Sequence, residues 1–211
     1  MRSLEVLEKV AEKLASGRAP TFSEVHIVMA LETIDSGKAV GRMKLSKTLG
    51  LGEGATRTLV KHLRKEGLVE VLRSGIVLSE SGGKLLSDFR HKIRGETEIP
   101  KSSLTVESFN VAVLVRHAAD AVSCGLEQRD TAIKAGASGA TTLVFINNKL
   151  VMPGIGEDIF HNAKSVYDAL ISALEPEEND VIIIGSADDR FTAEFGARAA
   201  ALELLKSKRD R

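Results

Sequence analysis

The stretch GLGEGATRTLVKHLRKEGLVEVLRSGIVLSESG, residues 50–82, constrains the fold more than any other part of the chain. Leu59, Val60 and Leu63 fall at helical spacing within residues 53–66, and Gly67 closes that helix. Residues 68–72 and 76–78 then read as two short strands around Arg73-Ser74-Gly75, a hairpin. Ser79 or Ser81 caps a further helix carrying Leu85, Leu86 and Phe89. The helix before the hairpin also holds Arg57, Lys61, His62, Arg64 and Lys65. Such a helix is either a solvated face or a surface shaped for a phosphate backbone, and its surroundings decide between the two.

Upstream, Leu4, Leu7, Val10, Ala11 and Leu14 recur at helical spacing, and Gly17 ends that helix. TFSE, residues 21–24, reads as a capping box opening a second helix with Val25, Val28, Met29 and residues 31–34. A short helix follows at 42–49 and carries Lys44 and Lys47. Three helices, a hairpin and a helix make the winged-helix plan. The helix at 53–66 packs its apolar face on its neighbours and offers the other to a DNA major groove. The expected DNA-contacting residues are Arg57, Lys61, Arg64, Lys65, Lys44 and Lys47, with Arg73 at the wing tip. Arg57, in the first turns, is the expected base reader.

LGLGEGATRTLVKHLRKEGLVEV, residues 49–71, resembles the winged helices of the gluconate-repressor class of bacterial regulators. In that pattern an Arg stands where Arg57 stands, and a Gly-Leu-Val or Gly-Leu-Ile enters the wing, as Gly67-Leu68-Val69 does here. VLSESGGKLL, residues 77–86, is similar to the opening of the helix after the wing in such regulators. Thr56 stands where the pattern usually holds an apolar side chain, and Glu53 brings a negative charge close to where phosphates would lie. GLEQRDTAIKAGASGATTLVF, residues 125–145, resembles a group of archaeal proteins with a winged helix before a C-terminal domain of unknown function. That resemblance implies an architecture and no activity.

Charge supports a division of the chain. Residues 1–95 hold 17 Lys+Arg and 11 Asp+Glu, so 17 − 11 = +6, while residues 96–211 hold 12 and 18, so 12 − 18 = −6. A basic half attracts polyanions and an acidic half keeps the whole soluble. The polar stretch GETEIPKSSLT, residues 95–105, reads as the boundary. The expected division is 1–95 winged-helix DNA-binding domain with an extra N-terminal helix, 96–108 linker and 109–211 an α/β domain for ligand sensing, dimerisation or both.

The second half reads β-α-β-β-α-β-α: strands at 109–115, 141–146 and 180–185, a return strand after the Asn147-Asn148 turn, and helices at 125–136, 159–174 and 191–205. The fold class is therefore α+β, a winged helix followed by a small α/β sandwich. The first six elements have the βαββαβ order of ferredoxin-like sandwiches, with a C-terminal helix added. Other α/β arrangements remain open.

Polar residues collect at the strand ends. Arg116, His117 and Asp120 follow the first strand, and Arg129, Asp130 and Lys134 lie on the next helix. PGIGED, residues 153–158, enters a helix, and GSADDR, residues 185–190, carries Asp188 and Asp189 into the last one. If the first and last strands lie side by side, Arg116 and Asp188 approach one another. Arg116 and Arg129 then suit a small anionic effector, since guanidinium groups bind carboxylate or phosphate bidentately. The competing view is exposed ion pairs and, at Asp188-Asp189, an acidic helix start favoured by the dipole.

No dinucleotide, P-loop or zinc-protease motif occurs, so no cofactor and no metal are expected. Cys124 stands alone, which excludes an internal disulfide and fits a reducing cytoplasm. With no Trp and one Tyr, stacking platforms for single strands are not expected. No 18-residue apolar run exists, so no membrane partner is expected. The reading is a transcriptional regulator rather than an enzyme, with duplex DNA as partner. A homodimer is expected because one winged helix reads a short half-site, with residues 4–14 and the C-terminal helix as candidate contacts. The runner-up is an enzyme acting near Arg116, Arg129 and Asp188. A third possibility is a protein-interaction module.

Overall fold

The structure is a computed structural model that describes residues 2–12, 21–155, 158–161 and 163–209. Leu14 and Gly17, expected in the first helix, and Gly156 and Glu157 of PGIGED lie outside the described residues. The chain divides into two compact units, Met1–Arg90 and His91–Arg211. The division precedes the polar stretch read as the boundary, because part of that stretch is a strand of the second unit.

The first unit begins with α1 (Arg2–Ala11) and α2 (Glu24–Ile34). Leu4, Leu7 and Val10 of α1 are buried, and α1 packs on α2 and on the helix at Glu53–Lys65. The apolar stripe expected to join two copies is thus already covered within the unit. The cap of α2 lies two residues later than the TFSE reading placed it. Ser23 is the N-cap, and its backbone N–H donates to His26 Nδ1 at 3.0 Å. Burial lowers the His26 pKa to about 4, so the ring stays neutral and its Nδ1 accepts.

Next come α3 (Arg42–Leu49), α4 (Glu53–Lys65), β1 (Val69–Leu72), β2 (Gly75–Leu78) and α5 (Glu80–Lys92). Leu68 N–H donates to Leu63 C=O at 2.9 Å across Gly67, whose φ of 70° ends α4. β1 and β2 pair antiparallel with Leu72 opposite Gly75, leaving Arg73-Ser74 as the turn. Val40 bridges Ile76 with two 2.9 Å hydrogen bonds, adding a third edge to the wing. Gly75 is required there: φ is 138°, and a Cβ would stand 3.0 Å from Val40 O. Ser79, not Ser81, caps α5, accepting from Gly82 N–H at 3.0 Å.

α5 passes into β3 (Ile93–Glu98) without an intervening residue. Then follow β4 (Phe109–Val115), α6 (Leu126–Lys134), β5 (Gly139–Ile146), β6 (Lys149–Val151), α7 (Lys164–Leu174), β7 (Val181–Ala187) and α8 (Arg190–Arg209). The sheet order is β3-β4-β7-β5-β6, and every pairing is antiparallel. This is a mixed α/β domain, but its order is not that of a ferredoxin-like sandwich, in which the third strand of the motif would lie beside the first. Here that strand is β6, three residues long with one buried side chain, and it stays at the edge. β7 is buried along its whole length and takes the centre, where both faces must be apolar.

Residues 93–98, half of which were read as linker, pair with β4 as a new edge strand. The period there is masked because β3 is mostly exposed and charged. Its anchor is ionic. Arg190 bonds Glu96, Glu98 and Glu194, and Arg198 reaches Glu96 at 2.7 Å and Glu194 at 2.9 Å. Burial raises Glu194. Burial also pushes Glu96 up, but the guanidinium groups of Arg198 and Arg190 outweigh it and hold Glu96 below the usual range. One sheet face packs under α7 through Leu114, Leu143, Leu170 and Ile182. α8 packs on β4 and β7, and at Gly185 a Cβ would stand 2.2 Å from Ala193 O. The apolar side of α8, a second expected dimer contact, is therefore largely interior: Leu202, Leu204 and Leu205 are buried.

Candidate nucleic-acid interface

α4 divides cleanly into two faces. Thr56, Leu59, Val60, His62 and Leu63 are buried, while Arg57, Thr58, Lys61, Arg64 and Lys65 are exposed. Thr56 is accommodated without an apolar replacement, since its hydroxyl donates to Gly52 C=O at 3.1 Å. His62, read from sequence among the basic residues, faces inward. Its Nδ1 lies 2.7 Å from Val10 C=O, and its ring meets Phe22 edge-on at 5.3 Å. A carbonyl only accepts, so Nδ1 carries the proton. His62 ties α1 to α4 and takes no part in the outer surface.

Between α4 and the wing runs a groove of about 520 Å³. Arg42, Arg57, Lys61, Arg64 and Arg73 line it, together with Val71 and Leu72. A second concavity of about 340 Å³ lies where α3 and α4 begin, lined by Arg42, Met43, Glu53, Thr56 and Arg57. Of the expected contacts, the structure gathers Arg57, Lys61, Arg64 and Arg73 around one groove. Lys44, Lys47 and Lys65 are exposed but outside both concavities. Arg42 was missed. Nothing in its spacing marks it, because the Val40–Ile76 bridge is what carries the start of α3 against the wing.

These cations share a second property. Among the described residues, Arg42, Lys44, Lys47, Arg57, Lys61, Arg64, Lys65 and Arg73 make no ion pair. Most of the other described arginines are held by carboxylates: Arg90 by Asp35 at 2.6 Å, Arg94 by Glu175 at 3.1 Å, and Arg116, Arg129, Arg190 and Arg198 likewise. A cluster of unpaired cations carries a positive potential that an intramolecular network would cancel.

The expected effector site in the second unit is not brought together. β4 and β7 are neighbours, but they run antiparallel, with Val115 opposite Val181 and Phe109 opposite Ala187. Arg116 and Asp188 therefore stand at opposite ends of the sheet, about eight residue steps or ~27 Å apart at ~3.4 Å per residue. Each residue has a local task instead. Arg116 forms a two-pronged pair with Glu177 at 3.2 and 3.3 Å. His117, at a φ of 49°, donates its backbone N–H to the buried Asp180 at 2.8 Å, and its carbonyl accepts from Lys208. Asp120 is exposed on a one-turn 3-10 helix. Arg129 pairs with Asp130 at 2.9 Å, and Lys134 makes no ion pair among the described residues. Asp189 caps α8, accepting from Thr192 N–H at 2.9 Å and its hydroxyl at 2.6 Å, which lowers its pKa. Asp188 is exposed. Among the described residues no group of three or more His, Cys, Asp or Glu is arranged to hold a metal ion, and no helix is long and apolar enough to cross a membrane.

Comparison with known proteins agrees with this division. Residues 28–93 match the family described as the CggR N-terminal DNA binding domain. Residues 106–204 match a domain of unknown function, DUF4443. The first unit is thus a winged-helix DNA-binding domain similar to that of CggR. The likeness to the gluconate-repressor class goes no further than the motif residues at the wing. A solved structure, a hypothetical protein from the archaeon Pyrococcus horikoshii OT3, superposes with a TM-score of 0.68 at 24% identity. The alignment covers 87% of this chain and 94% of that one, so the likeness is one of fold across both units. No curated protein matches the chain.

Proposed function

We propose that the protein is a transcriptional regulator whose first unit binds duplex DNA through α4, the start of α3 and the wing, and whose second unit joins two copies. The observation that carries the reading is the set of eight cations without ion pairs on the α3–α4–wing surface. The match of residues 28–93 to a DNA-binding domain supports it. Neutralising four to six phosphates per protomer gives a slope of log K against log salt of about −4 to −5. Titration of pooled genomic fragments from low to moderate salt measures this, and absence of binding at low salt ends the proposal.

For the second unit, dimerisation is favoured over effector sensing or catalysis, since Arg116 and Asp188 lie at opposite ends of the sheet and Arg129 is paired. The contact we propose is between copies at the sheet end where Phe109 pairs with Ala187. Phe109 and Phe191 are exposed there, and Val106 lies beside Gly139, which pairs with Ser186. A two-fold assembly doubles the short half-site that one winged helix reads.

A further inference from the structure

We propose, on the reading of the first unit as a duplex-binding domain, that Glu53 is a specificity-determining residue: its carboxylate accepts a hydrogen bond from a cytosine amino group near the guanine read by Arg57. Glu53 and Arg57 are one turn apart on α4, with the acid nearer the N-terminus. That order and spacing favour an ion pair along a helix. None forms, and neither side chain bonds to any other described residue. Both are exposed, and both line the 340 Å³ concavity with Arg42 and Met43.

The flanking glycines point the same way. Gly52 and Gly54 stand on either side of Glu53, and neither has a positive φ. A Cβ at either would meet nothing within 4 Å, in contrast to Gly82, where it would stand 2.0 Å from Leu68 O. Neither backbone conformation nor packing calls for glycine at Gly54, and glycine is a poorer helix former than alanine. What the missing side chains leave is clearance outside the chain, as needed where a backbone approaches a ligand closely.

A carboxylate at such a point repels phosphate but accepts from a base edge. In the major groove the donors are the amino groups of cytosine and adenine, and an acidic side chain is the usual partner of cytosine N4, as arginine is of guanine. Four residues of helix rise about 6 Å, close to two base-pair steps of ~3.4 Å. Glu53 and Arg57 therefore span neighbouring positions of one half-site. Met43, exposed in the same concavity, offers an apolar surface to the bases alongside.

The test uses the full chain and selection from random duplexes, followed by affinity measurement on the selected sequence and on base-substituted versions. The wild type is expected to select cytosine one or two steps from a guanine. Glu53→Ala is expected to lose the cytosine preference by about tenfold, keep the guanine preference and bind random duplex more tightly. Gly54→Ala is expected to raise the melting temperature while weakening binding to the selected duplex several-fold. If Glu53→Ala selects the same sequence as the wild type, Glu53 serves only the helix dipole and the proposal falls. Gly54→Ala with unchanged affinity removes the close approach and overturns it as well. A wild type that binds no duplex at low salt brings down the DNA-binding reading itself, and this inference with it.

Discussion

Arg57 and Lys65 lie on the same helix and carry the same charge, yet the structure gives them different surroundings. Arg57 lines both concavities, near the start of α4, while Lys65 sits in its last turn outside both. Arg57→Ala is expected to cost about 1–3 kcal/mol at a selected site if its contact with guanine is bidentate. Lys65→Ala should weaken all duplexes alike. Affinities for selected and random duplex decide the matter: an unchanged ratio in Arg57→Ala rejects the base-reading role. His62 makes the opposite case on the same helix. Its 2.7 Å bond to Val10 and its contact with Phe22 are both interior. His62→Ala removes a buried ring and strands a carbonyl, so a loss of about 2–4 kcal/mol in urea unfolding is expected. A loss below 1 kcal/mol would show that α1 is not fastened through this residue.

At the scale of the element, α2 carries a titratable cap. The His26 pKa is about 4 in the folded protein against 6.5 for the free side chain, because burial disfavours the charged ring. A depressed pKa contributes stability that is complete above about pH 6.5 and is lost as pH falls through 4. Discounted for partial exposure, the contribution is about 2 kcal/mol at neutral pH. His26→Gln keeps a capping side chain at the same position and does not titrate. Melting curves from pH 7 to pH 4 should therefore fall more steeply for the wild type than for His26→Gln. Parallel curves would refute the assignment. The elements of the second unit rest on different physics. β3 adheres to the sheet edge through Arg190 and Arg198, and it follows α5 directly.

At the scale of the whole molecule, the two units differ in how their charge is arranged. The first offers unpaired cations, and in the second most of the described arginines are paired within the unit. If the chain reads a two-fold-symmetric site, two copies are needed, and the proposed contact at Val106, Phe109 and Phe191 lies wholly within the second unit. Sedimentation at micromolar concentration should give a dimer, with and without duplex. Phe109→Glu should give a monomer that retains its fold by circular dichroism. A wild-type monomer under both conditions would contradict the assembly.

The winged helix was legible from residues 20–95 because its signals are local. A Gly at the end of α4, a tight hairpin turn and a Ser cap each act within a few residues, though Gly75, read as part of the turn, proves to be the first residue of β2. Apart from β3, the strands and helices of the second unit were legible too, from runs such as VIII at 181–184. The candidate interface was readable to the extent that helical period separates Leu59, Val60 and Leu63 from Arg57, Lys61 and Arg64. Period alone did not show that His62 turns inward, since α1 is 52 residues away along the chain. Nor did it show Arg42, whose place depends on a bridge between Val40 and Ile76. The order and direction of strands in the sheet were decided only by tertiary packing. Adjacent antiparallel strands separate residues that follow each strand by the full height of the sheet, which parted Arg116 from Asp188. β3 escaped notice for a related reason: an edge strand held by salt bridges on one side needs no apolar alternation, so its sequence looks like a linker until its partners are in place.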